Sequence, residues 1–297
     1  MNDRFRVDRR AMTRAFNRAS LHYDAAAALH SEVRAELLSR LEFFPLKPQL
    51  IVDLGCGTAR GAAALRARYR RAQVLAIDIA PGMLRAARRR SWPWRRFARV
   101  CADTLALPLA AQSVDLVYSN LMLHWCDDPA LAFAEVRRVL RPGGLLLFST
   151  LGAATLQELR DAWASVDTTP HVSAFADMPL LAAALQHAGL REPVMDRDLR
   201  LRHYPQAATL MGELREIGER NAAVDRRRSL TGRHRLALMC ATYEHQRGPK
   251  GLPATWEIIY GAAFAPAEQP GRQGHVPPVP AGETHVPLSA LGRRTRP

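Results

Sequence analysis

The chain has 297 residues and a mass of 33.0 kDa, which suits one large domain or a core with a cap, because single cores rarely grow beyond about 250–300 residues. Apolar residues make up 48% and charged residues 24%, a globular balance that excludes a wholly disordered or collagen-like chain. Lys+Arg 42 against Asp+Glu 28 gives a net charge of +14. Only Lys47 and Lys250 are lysines. Such an arginine skew also arises from genomic base composition, so the charge points only to acidic partners in general: RNA, anionic lipid or an acidic protein.

The four cysteines, Cys56, Cys101, Cys126 and Cys240, form no CxxC and no paired spacing, so neither a disulfide framework nor a zinc site is expected. No bound metal is expected. The first eighteen residues hold six Arg and two Asp without an apolar run, unlike a signal peptide. The longest apolar stretches, such as Leu145–Phe148, are far shorter than the about 20 residues of a membrane span. A cytoplasmic protein without membrane or nucleic-acid partners is expected, and a monomer.

In chain order, residues 9–41 read as helical and define an amino-terminal helical lid, residues 1–45. From 46 to 151, short apolar runs alternate with helical patterns. Leu50–Leu54, Gln73–Ile77, Phe97–Cys101, Val114–Tyr118 and Leu145–Thr150 read as buried strands. Gly61–Tyr69, Pro81–Arg89 and Pro129–Leu140 read as helices. This alternation predicts an α/β fold, a parallel sheet with helices on both faces. Pro81 suits a first helical turn, and Arg141-Pro142-Gly143-Gly144 ends a helix before the fifth strand. Residues 152–264 form a cap region, with helices at Leu156–Val166, Leu180–His187, Ala207–Glu219 and Arg233–Gln246 and strands at Glu192–Tyr204 and Ala254–Phe264. Residues 265–297 form a mobile Pro/Gly-rich tail, with seven prolines in 266–297.

Ile51-Val52-Asp53-Leu54-Gly55-Cys56-Gly57-Thr58 follows the first strand and precedes a helix. Its glycines let the backbone turn sharply and approach a ligand closely, and the helix start offers unpaired N–H groups. Asp53 repels a phosphate and suits a cation. The third glycine of a dinucleotide fingerprint is missing. Asp78, 21 positions beyond Gly57 at the end of the second strand, can accept both hydrogen bonds of a ribose diol. Asp103 ends the third strand and can accept from an adenine amino group, with Ala102 and Thr104 beside it. Asn120-Leu121-Met122-Leu123-His124-Trp125 follows the fourth strand. All four segments sit at carboxyl ends of parallel strands, where open sheets bind ligands. A lone glycine turn or helix-capping Asp is commonplace; four in order at matching strand ends point to a ligand site.

With Leu140-Arg141-Pro142-Gly143-Gly144, these motifs resemble the Rossmann-like S-adenosylmethionine-dependent methyltransferases. The resemblance implies a seven-stranded sheet with an antiparallel last strand and S-adenosylmethionine as methyl donor. It implies Gly55 and Gly57 against the methionine part, Asp78 on the ribose and Asp103 beside the adenine with Ala102 and Thr104 near it, and Cys56, Ile79 and Met83 also in the donor site. Asp53 and Asn120 complete the donor set. More specific segments run through nearly the whole chain: Phe16-Asn17-Arg18-Ala19-Ser20 with Tyr23-Asp24, Thr155-Leu156-Gln157-Glu158-Leu159-Arg160, Ala162-Trp163, Val166-Asp167, His171-Val172, Asp177-Met178, Ile217-Gly218, and Trp256-Glu257-Ile258-Ile259-Tyr260-Gly261. They are similar to the malonyl-acyl carrier protein O-methyltransferases of biotin synthesis, the BioC family. Relatives often carry glycine where Ala59 stands, Gln where His124 stands and a basic residue where Gly212 stands.

The resemblance implies methylation of the free malonyl carboxylate, with acidic acyl carrier protein as partner. A carboxyl titrates near about 4 and is ionised at pH 7, so no base is needed and alignment carries the rate. No catalytic residue is required beyond Tyr23, which could shield the donor or contact a carboxylate. Arg18, His124, Arg202 and Arg215 are candidates to hold the malonyl end. Residues 60–99 contain twelve Arg and one acid, Asp78, which makes Arg88–Arg99 a candidate docking face, as is Arg226-Arg227-Arg228; a solvated arginine face is the plain alternative. Competing readings are an RNA methyltransferase, a methyltransferase of small carboxylic acids, and a binding module with a degenerate loop. Against RNA, the Asn-Pro-Pro-Tyr pattern is absent and aromatics do not interleave with the arginines.

Overall fold

Seven strands form one mixed sheet in the order β3-β2-β1-β4-β5-β7-β6. They are β1 (Leu50–Leu54), β2 (Gln73–Asp78), β3 (Ala98–Cys101), β4 (Val114–Asn120), β5 (Leu140–Leu151), β6 (Arg191–Tyr204) and β7 (Leu252–Phe264). β1 to β5 run parallel, and β7 is antiparallel to both β5 and β6. This is the expected α/β methyltransferase sheet. The computed structural model describes residues 6–91 and 96–267, and residues up to Pro266 make one compact unit. From residue 268 the expected tail lies outside the described residues. Its first residue, Ala265, is buried and exchanges backbone hydrogen bonds with Gly143 and Gly144.

Side chains of a strand alternate between faces, so β1 feeds two cores. Ile51 packs with Val33, Leu37, Leu65 and Tyr118. Val52 and Leu54 pack with Phe133, Val136, Phe148 and Leu181 on the other face. These are apolar helix stripes laid on a sheet buried on both sides. Helix α4 (Arg60–Arg68) follows β1, α5 (Pro81–Ala87) follows β2, and α6 (Pro129–Val139) follows β4. α6 starts where the Asp128 side chain accepts the Ala130 N–H and Pro129 presets the first turn. Among the described residues, no helix is long and apolar enough to cross a membrane.

Two expectations shift. The amino-terminal segment is three helices, α1 (Arg9–Ala19), α2 (Tyr23–Ala26) and α3 (Ala28–Ser39), because Ser20 Oγ bonds back to Asn17 O and the chain turns at residues 20–22. Arg141–Gly144 is not a loop before β5 but a bulge within it. Leu140 pairs with Val114 and Leu145 with Leu116, and Gly143 takes φ 74°.

The cap helices are α7 (Gln157–Ala164), α8 (Met178–His187), α9 (Ala207–Glu216) and α10 (Arg233–Glu244). The family-like segments stitch them to the sheet. Glu158 accepts from Thr255 N (3.0 Å), and Glu257 accepts from Ala154 N (2.7 Å). Gly218, with φ 80°, lies where a Cβ would come within 2.8 Å of the Phe16 ring, so the end of α9 sits tight on α1. Gly218→Ala adds a left-handed alanine and that contact. It should lower stability by about 1–3 kcal/mol in urea unfolding; an unchanged midpoint would show that this junction does not hold the two segments together.

Candidate active site

Three residues in the left-handed region, Gly55 (φ 69°), Gly57 (φ 53°) and Ala59 (φ 60°), swing the chain from β1 into α4. A Cβ on Gly55 would lie 2.1 Å from Met122 Cγ, whereas at Gly57 it would meet nothing within 4 Å. The first glycine therefore lets the post-β4 segment approach, and the second leaves an open floor. Ala59 adopts, in alanine, the conformation for which a glycine is the easier residue.

Above this loop lies a cleft of about 800 Å³. Ten of the expected residues surround it: Tyr23, Gly55, Gly57, Asp78, Ile79, Met83, Ala102, Asp103, Thr104 and Asn120. Asp78 Oδ2 accepts the Gly57 N–H and Oδ1 the Ala80 N–H, both at 2.8 Å. Each oxygen keeps a further lone pair for a diol. Burial lifts the Asp78 carboxyl to about 6, against the pull of those two N–H groups. Asp53 and Cys56 lie behind the loop, lining a recess of about 430 Å³ with the half-buried Arg34. Asp53 Oδ2 accepts Ala62 N at 2.6 Å, and Gly61 is packed so close to it that a Cβ would stand 2.8 Å away. Burial pushes Asp53 up to about 7, with Asp78 adding to the rise. Burial also pushes the Cys126 thiol in the cleft wall up to about 12, and it holds the Tyr23 phenol protonated far above neutrality. Neither is a nucleophile or base at pH 7.

Residues with no role assigned from sequence complete the cleft. Arg9 pairs with Asp103, the carboxylate expected beside an adenine, and reaches Asp127 at 4.0 Å. Phe16 meets Trp125 edge-on, centroids 5.2 Å apart. Asn17 Oδ1 accepts Gly82 N at 2.6 Å, tying α1 to α5. Asp24 accepts from Thr58 Oγ1 (2.7 Å), Arg60 Nε (2.9 Å) and Arg90; this fastens α2, and with it Tyr23, over the glycine loop. His30 and His124 approach Glu219 Oε1 from two sides, at 3.4 and 3.5 Å, all three side chains buried. Burial raises the Glu219 carboxyl, and the imidazoles outweigh it and hold it down at about 2. Phe16, Asn17 and Asp24 stand in the segments that carried the resemblance; Glu219 stands next to one. Arg9 and His30 gave no local signal.

A second cavity, about 1130 Å³, shares Trp125 and Glu219 with the cleft. His124 and Arg215 line it, with apolar walls from Leu156, Trp163, Phe175 and Met211. Arg18 lies instead in a third, basic cleft. Arg202 is not at a site: Glu32 (2.8 Å) and Glu213 (3.8 Å) engage it on β6, and it lines none of these cavities.

The family model described as a methyltransferase domain matches residues 52–148, the span from β1 through most of β5. Over 270 residues the chain is 47% identical to a malonyl-acyl carrier protein O-methyltransferase of Methylovorus sp. (strain MP688), covering 89% of this chain and 91% of that protein. It is 42% identical to the enzyme of the same name from Gallionella capsiferriformans (strain ES-2), covering 92% and 96%. The chain belongs to the malonyl-acyl carrier protein O-methyltransferase family. Among solved structures, the Bacillus subtilis YcgJ protein superposes with a TM-score of 0.56 at 15% identity, over 78% of this chain and 98% of that one. That likeness concerns the fold.

The cleft fits the donor that this family implies: an open glycine floor, a diol acceptor in Asp78, apolar walls and two buried carboxylates that favour a cation. Asp78→Ala removes a carboxylate acceptor worth about 1.5–3 kcal/mol per bond, so calorimetry should find S-adenosylmethionine bound at least about tenfold more weakly. Tyr23→Phe keeps the apolar ring and should alter that affinity by less than about threefold, whereas Tyr23→Ala, losing the buried ring, should weaken it about tenfold. Equal affinities for Asp78→Ala and the parent would remove Asp78 from the site.

Proposed function

We propose that this protein transfers the methyl group of S-adenosylmethionine to the free carboxylate of a malonyl group carried on acyl carrier protein, the step that opens pimeloyl and biotin synthesis. The identity to enzymes of that name over nearly their full length supports the reading. The observation that carries it is that a second cavity with apolar walls adjoins the donor cleft, the two sharing Trp125 and Glu219 as lining, which gives an acceptor a place beside the donor.

S-adenosylmethionine, when bound, supplies an activated methyl on a positively charged sulfur. Asp78 accepts from the ribose diol, Asp103 and Thr104 flank the adenine, and Gly55, Gly57 and the Asp53 recess take the methionine part. The acceptor needs no deprotonation, because a malonyl carboxyl is already ionised at pH 7. In keeping with this, the Tyr23 phenol and the Cys126 thiol in the cleft hold their protons. His124, whose buried Nδ1 has no hydrogen-bond partner and whose Nε2 faces Glu219 at 3.5 Å, and Arg215 at the cavity wall hold the carboxylate in line. α1 and α2 act as a lid. Phe16, Tyr23 and Trp125 exclude water, which strengthens attraction between carboxylate and sulfonium. Esterification then removes a charge that is costly to bury, leaving a neutral acyl end fit for apolar channels.

Labelled S-adenosylmethionine with malonyl-acyl carrier protein should give a base-labile methyl ester on the carrier. Label entering bulk tRNA and not the carrier would overturn the proposal.

A further inference from the structure

The third cleft, about 1040 Å³, is lined by Arg14, Arg18, Arg220, Arg226 and Arg227 and by no acidic residue. Arg226 is paired with Asp8 (2.9 Å) and Arg227 with Asp167 (3.7 Å). Arg14 has only the longer-range attraction of Asp8. Arg18 and Arg220 are exposed and make no ion pair among the described residues. Folding thus leaves about three guanidinium charges uncompensated in one concavity, between α1 and the segment after α9. Guanidinium groups bind phosphate oxygens in bidentate fashion.

This cleft is not isolated. It shares His171, Arg220, Asn221 and Thr231 with the second cavity, and that cavity shares Trp125 and Glu219 with the donor cleft. The cavities therefore adjoin in order: the basic mouth, then an apolar middle walled by Leu159, Trp163, Phe175 and Trp256 with buried His124 in its lining, then the donor cleft. We infer that the basic mouth binds the phosphodiester heading a pantetheine arm, with the uncharged arm threaded along the second cavity and its malonyl end at His124. The inference rests on the malonyl-thioester reading and deepens it. A malonyl thioester of phosphopantetheine has this charge pattern: an anion at the head, neutral amides along the arm and a carboxylate at the tip. Of the two arginine faces marked in the sequence, Arg226 and Arg227 line the mouth, whereas the arginines of residues 60–99 are placed elsewhere. Arg90 is engaged by Asp24, and Arg99 by the Leu84 carbonyl; among the described residues, those of 60–99 line neither the basic mouth nor the second cavity.

The test compares malonyl-pantetheine with malonyl-4′-phosphopantetheine, in the parent and in Arg14→Ser/Arg18→Ser/Arg220→Ser. The parent should show a KM about ten- to hundredfold lower for the phosphorylated thioester, the range for charge-assisted contacts. The triple variant should lose that preference while its S-adenosylmethionine affinity stays that of the parent. Equal KM values in the parent, or an equal rise for both thioesters in the variant, would overturn the inference. Malonyl-carrier protein is the source proposed. A variant impaired on malonyl-coenzyme A but not on the carrier would also overturn it. Binding of 4′-phosphopantetheine itself, followed by calorimetry, separates this from failure of the functional reading. Arginine-dependent binding without methyl transfer would uphold the phosphate site and sink the reaction; no binding would sink the site.

Discussion

Two carboxylates, Asp53 and Asp78, are sunk beneath one glycine loop. Burying an ionised carboxylate is costly unless hydrogen bonds or a cation compensate. Backbone N–H groups supply part of the compensation: Ala62 to Asp53, Gly57 and Ala80 to Asp78. It is incomplete, because both groups remain well above the ordinary carboxylate range. What is left is a pit at the carboxyl ends of β1 and β2 where burial disfavours the ionised form of both carboxyls. A donor whose reactive atom is a positive sulfur relieves it. A phosphate-bearing dinucleotide would aggravate it. That electrostatic choice, made within thirty residues of chain, underlies the rest of the account.

The remainder of the structure brings an acceptor to that pit and keeps water away. Asp24 clamps α2 to Thr58, Arg60 and Arg90, so the glycine loop and the segment above it are one mechanical unit. Phe16 joins this unit to Trp125 and to the glycine at the end of α9. Glu219 then reaches inward between His30 and His124. Three segments far apart in sequence meet there, at the boundary between the cleft and the second cavity. An acceptor carboxylate approaching His124 competes with Glu219 for the same imidazole, which couples acceptor entry to the position of the chain after α9.

The sheet was legible because parallel strands buried on both faces, such as β1 and β4, read as apolar runs and because Asp and Gly at their ends have few other uses; β3, read as buried, is a largely exposed edge strand. The amino-terminal helices read as one segment, since Ser20–His22 carries neither Gly nor Pro; its break comes from a side chain bonding back to the backbone. Arg141-Pro142-Gly143-Gly144 looked like a stop signal and is a bulge, because β4 runs on alongside it. The donor residues that could be named from sequence were those adjacent to strand ends. Arg9 opposite Asp103, His30 beside Glu219, and Glu32 engaging Arg202 are contacts between residues some 90 or more positions apart, and no local pattern announces them. The arginine excess was visible as a number, but only folding shows which guanidinium groups find carboxylates and which are left facing a cleft.

If the loop holds protons in place of a cation, seating a cation must expel them. Near pH 6.5, Asp53 at about 7 and Asp78 at about 6 together retain on the order of one proton in the free protein. A cation seated beside them lowers both pKa values and expels it. Calorimetric titration with S-adenosylmethionine at pH 6.5, in buffers of different ionisation enthalpy, measures this directly. Net release should approach about one proton and fade by about pH 8.5 as both groups ionise unaided. Binding without proton release at pH 6.5, or with uptake, would contradict it.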